Sequence, residues 1–250
     1  MDLGIAGRRA AVAAASAGLG LGTARALAAE GVAVALCGRR EDTLLDAVAS
    51  ITADGGDATG IVADVGTAAG ATDFVTQAKE ALGGIDILVT NAGGPNAGGF
   101  ADIAYEDYER ALQLNLLSTV AMCQAAVPDM RAAGWGRVVA ITSVSVRQPI
   151  PSLILSNTAR AGATGFLKTL ALEVAPDGVT VNTIQPGTHD TDRIRHLWGD
   201  NVSGAAATVP VGRLGDADDF GAAAAFLCSA PASYITGVAL RCDGGLIRSL

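Results

Sequence analysis

The sequence predicts an α/β fold: a doubly wound parallel sheet of Rossmann type, helices on both faces, in a single domain over residues 1–250. Three observations lead there. Short apolar runs rich in β-branched residues, such as Val138–Ile141 and Val179–Ile184, recur as buried parallel strands require. Between those two, about Ser152 to Ala175 has helical spacing, with Phe166, Leu170 and Val174 on one stripe and Pro176 and Gly178 to stop it. Near the start, a strand runs through a glycine-containing turn into a helix. A strand-helix-strand unit of this kind implies a right-handed crossover. Strand C-terminal ends and the first turns of the following helices then face the ligand crevice. Ser143, Ser156 and Arg160 occupy such places.

Composition narrows the classes. Half of the 250 residues are hydrophobic, ample for one large core, and the net charge is −8 with both signs interspersed. That balance argues against a nucleic-acid partner. Cys37, Cys123, Cys228 and Cys242 lie in apolar runs without C-x-x-C spacing. They read as buried free thiols of a reducing compartment, so a cytoplasmic protein is expected, with no metal site. Arg8-Arg9 followed by AAVAAASA has the look of a secretion signal, but Gly18, Gly20 and Gly22 break its apolar core. No apolar run approaches the ~18 residues that span a bilayer, and no membrane partner is expected.

In chain order, strand one is expected over 9–15, and Ala15–Gly20 turns into a helix reaching about Glu30. Backbone N–H groups there can close on a pyrophosphate, with the helix dipole favouring the anion. Strand two, Val32–Cys37, ends in Gly38-Arg39-Arg40. An acid at this place would hold a ribose 2′-hydroxyl, whereas Arg accommodates a 2′-phosphate. Gly38 with Arg39 therefore points to NADP(H) rather than NAD, while Arg40 starts the solvated face of the next helix. Strand three ends at Val62-Ala63-Asp64-Val65, and a helix over 67–82 has Gly83-Gly84 as its C-terminal cap. Strand four, Ile85–Val89, leads into Thr90-Asn91-Ala92-Gly93, and a helix over 104–132 carries Asn115 in an apolar run, where a polar side chain needs a partner. After the central unit come Pro186-Gly187-Thr188, a polar segment over 189–210, a helix to about Ser229, and Tyr234–Gly245.

Together these pieces resemble the short-chain dehydrogenase/reductase family over nearly the whole chain. Family members carry Ser, then Tyr thirteen residues later, then Lys four further on. The flanks Ala161-Gly162, residues 165–171 and Glu173-Val174 fix the register, and the three positions hold Ser143, Ser156 and Arg160. The family's T-G-x-x-x-G-x-G turn fits Ala13-Ala14-x-x-x-Gly18-x-Gly20, with Ser16 and Leu19 inside it. Ala14 replaces the first glycine, an exchange read as harmless on the expectation of a negative φ. The resemblance further implies that Asp64 and Val65 meet the adenine. It places Asn91, Ala92 and Gly93 beside the cofactor, and gives Pro186, Gly187 and Thr188 the nicotinamide carboxamide. Asn115 would kink its helix and hold a relay water, Arg160 would hold the nicotinamide ribose, and 189–210 would shape the substrate site. A homotetramer or homodimer is implied, pairing helices 104–132 and 152–175 across a two-fold axis.

The chemistry is where the sequence departs from its family. The family's Tyr protonates the substrate oxygen, Lys lowers the Tyr pKa and Ser polarises the carbonyl. An aliphatic hydroxyl at Ser156 is too weak an acid to replace a phenol, and Arg does not release its proton. Losing a general acid removes about 10²–10⁴-fold in rate. Three readings follow: an NADP(H)-dependent oxidoreductase with a substitute donor or a substrate needing none, a non-redox lyase or isomerase, or a non-catalytic nucleotide-binding partner. The first is preferred because the nucleotide-facing set is largely in place, and His189, beside the nicotinamide turn, is the candidate acid. The substrate is a small molecule, anionic or aromatic if Arg147, His189, Arg193, Arg195, His196 and Trp198 line its pocket.

Overall fold

The computed structural model describes residues 1–249. Its elements run β1 (Arg9–Val12), α1 (Gly18–Ala29), β2 (Ala33–Gly38), α2 (Glu41–Ala53), β3 (Ala58–Val62), α3 (Ala68–Leu82) and β4 (Ile87–Thr90). They continue as α4 (Tyr105–Leu112), a π-helical turn (Gln113–Leu117), α5 (Ser118–Ala133), β5 (Gly136–Ile141), α6 (Ile154–Val174) and β6 (Val179–Pro186). The chain then forms α7 (Asp192–Trp198), α8 (Val202–Ala207), α9 (Ala217–Leu227) and β7 (Ala239–Cys242). One seven-stranded sheet in the order β3-β2-β1-β4-β5-β6-β7 gathers them, every pairing parallel.

The continuous apolar strands are buried on both sides, as the sequence pattern demands. One face is covered by α3, α5 and α6 through Phe74, Met122 and Leu167; the other by α1, α2 and α9 through Leu27, Leu44 and Phe220. The strand order reverses direction between β1 and β4, so the crevice of a doubly wound sheet opens at their C-terminal ends.

Two expectations about elements change. Strand one stops at Val12, three residues short, because the chain turns at Ala14, where φ is +47°. The helix over 104–132 is continuous in path but not in kind, since Gln113–Leu117 holds one wide turn. By length and composition the whole span Tyr105–Ala133 could cross a membrane. In this fold its buried side, Met122, Ala126 and Met130, packs on the sheet and on α3.

Candidate active site

The glycine turn and the end of β4 are tied together. Asn91 Nδ2 donates to the carbonyl of Ala14 at 3.1 Å, which joins the two strands flanking the switch point. A Cβ on Gly20 would sit 2.5 Å from that same carbonyl, so only glycine lets the first turn of α1 approach so closely. Ala14 itself corrects the sequence reading. Its φ of +47° is left-handed, a region L residues occupy at a penalty, and its amide is engaged by the Cys37 sulfur at 3.3 Å. Cys37, read from the sequence as a buried free thiol, also helps hold the turn; nothing in its local sequence signals that contact.

At the end of β2 a Cβ on Gly38 would lie 2.8 Å from Ser16 Oγ, so an acidic side chain there would displace Ser16. Arg39 beside it is exposed. Asp64 Oδ1 accepts from the Gly66 amide, which shapes the turn after β3, and the Val65 side chain is buried in the core, so only its backbone can face a ligand. Beyond β4, Gly93 borders open space, with nothing within 4 Å of where a Cβ would stand. Its carbonyl accepts from Asn115 Nδ2 at 3.0 Å, and Asn115 Oδ1 is buried without a partner. The π turn is what aims Asn115 at this loop, and wide turns of this kind often sit at functional sites. Open space at Gly93, an orphan acceptor at Asn115 and donors at the start of α1 fit a nicotinamide dinucleotide laid across the strand ends.

Arg160 ties α6 to the end of β5, just before Ser143. Ser143 follows β5, and its Oγ accepts from the Ser145 amide at 3.1 Å, leaving its own proton to donate elsewhere. Ser156 and Arg160, one turn apart on α6, are both buried. Arg160 Nη1 donates to the carbonyls of Ile141 (2.9 Å) and Thr142 (3.0 Å), and Nη2 reaches Ala92 O at 3.4 Å. Its guanidinium bridges the ends of β4 and β5. Burial lowers its pKa to about 10, with the nearby Arg193 charge adding to the effect, so it stays a cation at neutral pH.

His189 corrects a second expectation. Its ring lies beneath the Pro186-Gly187-Thr188 turn and is 3 % exposed. It meets the Phe220 ring edge-on at 5.3 Å, with Nε2 3.8 Å from the Cys242 sulfur and Nδ1 3.4 Å from the carbonyl of Gly187. Burial lowers its pKa, so it is neutral and packed inside rather than poised beside a substrate. The turn is fixed by Gly187 N bonding to Cys242 O and by Thr188 O accepting from Gly215 N.

Of the other residues singled out around the pocket, Arg195 is held by both oxygens of Asp190, and Arg147 lines a cavity of 350 Å³ with Lys168 and Gly237 near the β7 edge. Arg193 alone reaches back across the cleft, donating to Pro95 O at 2.7 Å.

Comparison with known proteins agrees with this geometry. Residues 13–247 match the family model described as enoyl-(acyl carrier protein) reductase. Human dehydrogenase/reductase SDR family member 4 is 36 % identical over 222 residues, 88 % of this chain and 80 % of that protein. The L-sorbose reductase of Gluconobacter frateurii, solved with NADPH and L-sorbose, superposes with a TM-score of 0.94 at 32 % identity, covering 100 % of both chains. A 7α-hydroxysteroid dehydrogenase solved with NADH and 7-oxo glycochenodeoxycholic acid gives 0.93 at 29 % identity, covering 100 % of this chain and 98 % of that one. With a family model matching residues 13–247 and relatives alike over most of their length, the chain belongs to the short-chain dehydrogenase/reductase family.

Proposed function

We propose that the protein is an NADP(H)-dependent reductase of activated, carbonyl-conjugated double bonds, working without a titrating acid of its own. The observation that carries the reading is Arg160: a buried, permanent cation at the strand ends, one helical turn from Ser156. On this reading Ser156 and Arg160 stand where the family's Tyr and Lys stand. A bound nicotinamide supplies the hydride. Hydride addition to the β-carbon of an enone sends the electron pair to the carbonyl oxygen. Ser143 and Ser156 donate hydrogen bonds to that oxygen, and Arg160 stabilises the negative charge on it. The proton ends on the α-carbon and comes from water, so the missing phenol is not needed. A simple ketone would instead place the charge on an alkoxide, far more basic than a delocalised enolate, so its formation calls for proton transfer in step with the hydride, and His189, the titrating candidate, is sealed away.

NADP(H) is favoured over NAD by Arg39 together with the lack of room for an acid at Gly38. The matched family model's description as an enoyl reductase is in keeping with conjugate reduction. The chain is further read as a homodimer or homotetramer. Phe166, Leu170 and Val174 of α6 line an apolar groove of 420 Å³ with Val127 and Pro128 of α5, and Leu172, elsewhere on α6, is exposed.

The test is NADPH consumption, followed optically, with a panel of conjugated enones against saturated ketones of the same skeleton. Turnover of enones and not of ketones is expected. Reduction of ketones at equal rates, or no consumption with any enone, overturns the proposal.

A further inference from the structure

We infer that the substrate carries a carboxylate and that Arg193 is the side chain that holds it; this names the substrate class for the reduction proposed above and rests on that reading. Arg193 lies in the first turn of α7 and crosses the cleft to the loop after β4. Its Nη2 donates to Pro95 O at 2.7 Å, and its Nε would stand 3.0 Å from a Cβ on Gly94, so the guanidinium lies flat over that glycine. The bond to Pro95 engages one of five N–H groups that a guanidinium offers.

The neighbouring cations are already matched. Arg195 is bidentate to Asp190 at 2.9 and 3.0 Å, and Arg213 pairs with Asp219 at 2.8 Å. Arg193 forms no ion pair among the described residues, although it is partly buried. Arg160 is in the same condition, and its Nη2 reaches Ala92 O. Two guanidiniums without carboxylate partners thus hang on one four-residue segment, Ala92 to Pro95, in a protein whose net charge is −8. Like charges brought together away from water are unfavourable until an anion joins them. A carboxylate matches the planar fork of a guanidinium.

The nucleotide's own phosphates are the other anion to consider, and their place is different. They belong at the start of α1, where Thr191 approaches Gly18, its Cγ2 3.5 Å from where a Cβ would be. Arg193 is directed elsewhere. Gly94 and Pro95 lie on the path from Gly93 to Gly98, which bridges to Leu153 immediately before α6. That path leads from the open space at Gly93 to Leu153, three residues before Ser156.

The experiment measures binding, so it does not depend on turnover. Benzoate and its neutral isostere benzamide are titrated by ligand-observed NMR into the NADPH-loaded wild type and into Arg193→Gln and Arg193→Lys, with NADPH affinity and melting temperature recorded for each. Benzoate is expected to bind at least about 10-fold tighter than benzamide. Arg193→Gln should lose about 10- to 100-fold of the benzoate affinity, the scale of a charge-assisted hydrogen bond, with Arg193→Lys in between and NADPH affinity unchanged. Equal binding of benzoate and benzamide, no benzoate binding, or unchanged benzoate affinity in Arg193→Gln overturns the inference. A matching loss of NADPH affinity also overturns it, by assigning Arg193 to the nucleotide's phosphates. Arg193-dependent benzoate binding in a protein that reduces no enone leaves this inference standing and removes the proposed reaction; enone reduction without such binding does the reverse.

Discussion

Ala14→Gly is expected to stabilise the protein. Ala14 holds φ at +47° while its amide is tied to Cys37 and its carbonyl to Asn91, so the turn cannot relax towards negative φ without breaking both. A left-handed conformation is unfavourable for an L residue by about 1–2 kcal/mol. Glycine removes that strain but loosens the unfolded chain, which takes back about 0.4–1 kcal/mol. The net gain is about 0.5–1 kcal/mol, equivalent to about 1–4 °C in melting temperature for a chain of this size. Calorimetry or chemical denaturation of the wild type, Ala14→Gly and Ala14→Val measures it. Valine adds β-branching to the same strained φ and should destabilise by at least about 1 kcal/mol. A glycine variant less stable than wild type, or a valine variant indistinguishable from it, would refute the reasoning, because residue 14 would then not be strained.

Four further outcomes follow from the site. Because burial lowers the His189 pKa, the unfolded chain takes up a proton below about pH 6.5 that the folded chain refuses, so stability should fall as pH drops through that range; His189→Leu should flatten the slope, and an unchanged slope speaks against the burial. Arg39→Ala should weaken NADPH binding and leave NADH binding alone, as calorimetry with both nucleotides would record. Ser156→Tyr with Arg160→Lys should confer reduction of simple ketones, with a rate increase of about 10²–10⁴ and strong non-additivity between the two changes; a folded, NADPH-binding double variant inert towards ketones shows that more than the proton donor differs. Light scattering should give a dimer or tetramer at micromolar concentration, and Leu170→Glu, placed in the α5–α6 groove, should shift it to monomer without lowering NADPH affinity.

Much of this architecture was legible in the residues, and the reasons for the exceptions are specific. The apolar β-branched runs placed the parallel strands because burial on both faces leaves a continuous signature. Asn91, Gly20 and Asn115 were singled out through the family resemblance; Asn91 Nδ2 stands 3.0 Å from where a Gly20 Cβ would be, and Asn115 reaches the loop after β4 through Gly93 O. The sign of φ at Ala14 could not be read locally, since it is imposed by β2 and β4 gripping the turn from either side. His189 looked available because its own neighbours are polar. The residues that enclose it, Phe220, Gly215 and Cys242, arrive 26 to 53 positions later, on α9, the loop before it and β7. Arg193 and Arg195 were equivalent in the sequence, and only the fold shows that Asp190 pairs with one and not the other.

The four thiols give this protein a built-in reporter of its own opening. Burial pushes Cys37, Cys123 and Cys228 up to about 12, and they sit respectively on the central sheet, on α5 and at the end of α9. Alkylation needs both the thiolate and access, so none of the three reacts until its own layer parts. Cys242, only partly buried beside His189 on the edge strand, answers to a smaller movement. Timed labelling followed by mass spectrometry therefore separates loosening around the Pro186-Gly187-Thr188 turn from rupture of either core, residue by residue, without a single introduced probe. Added NADPH should slow the first of these rates more than the others.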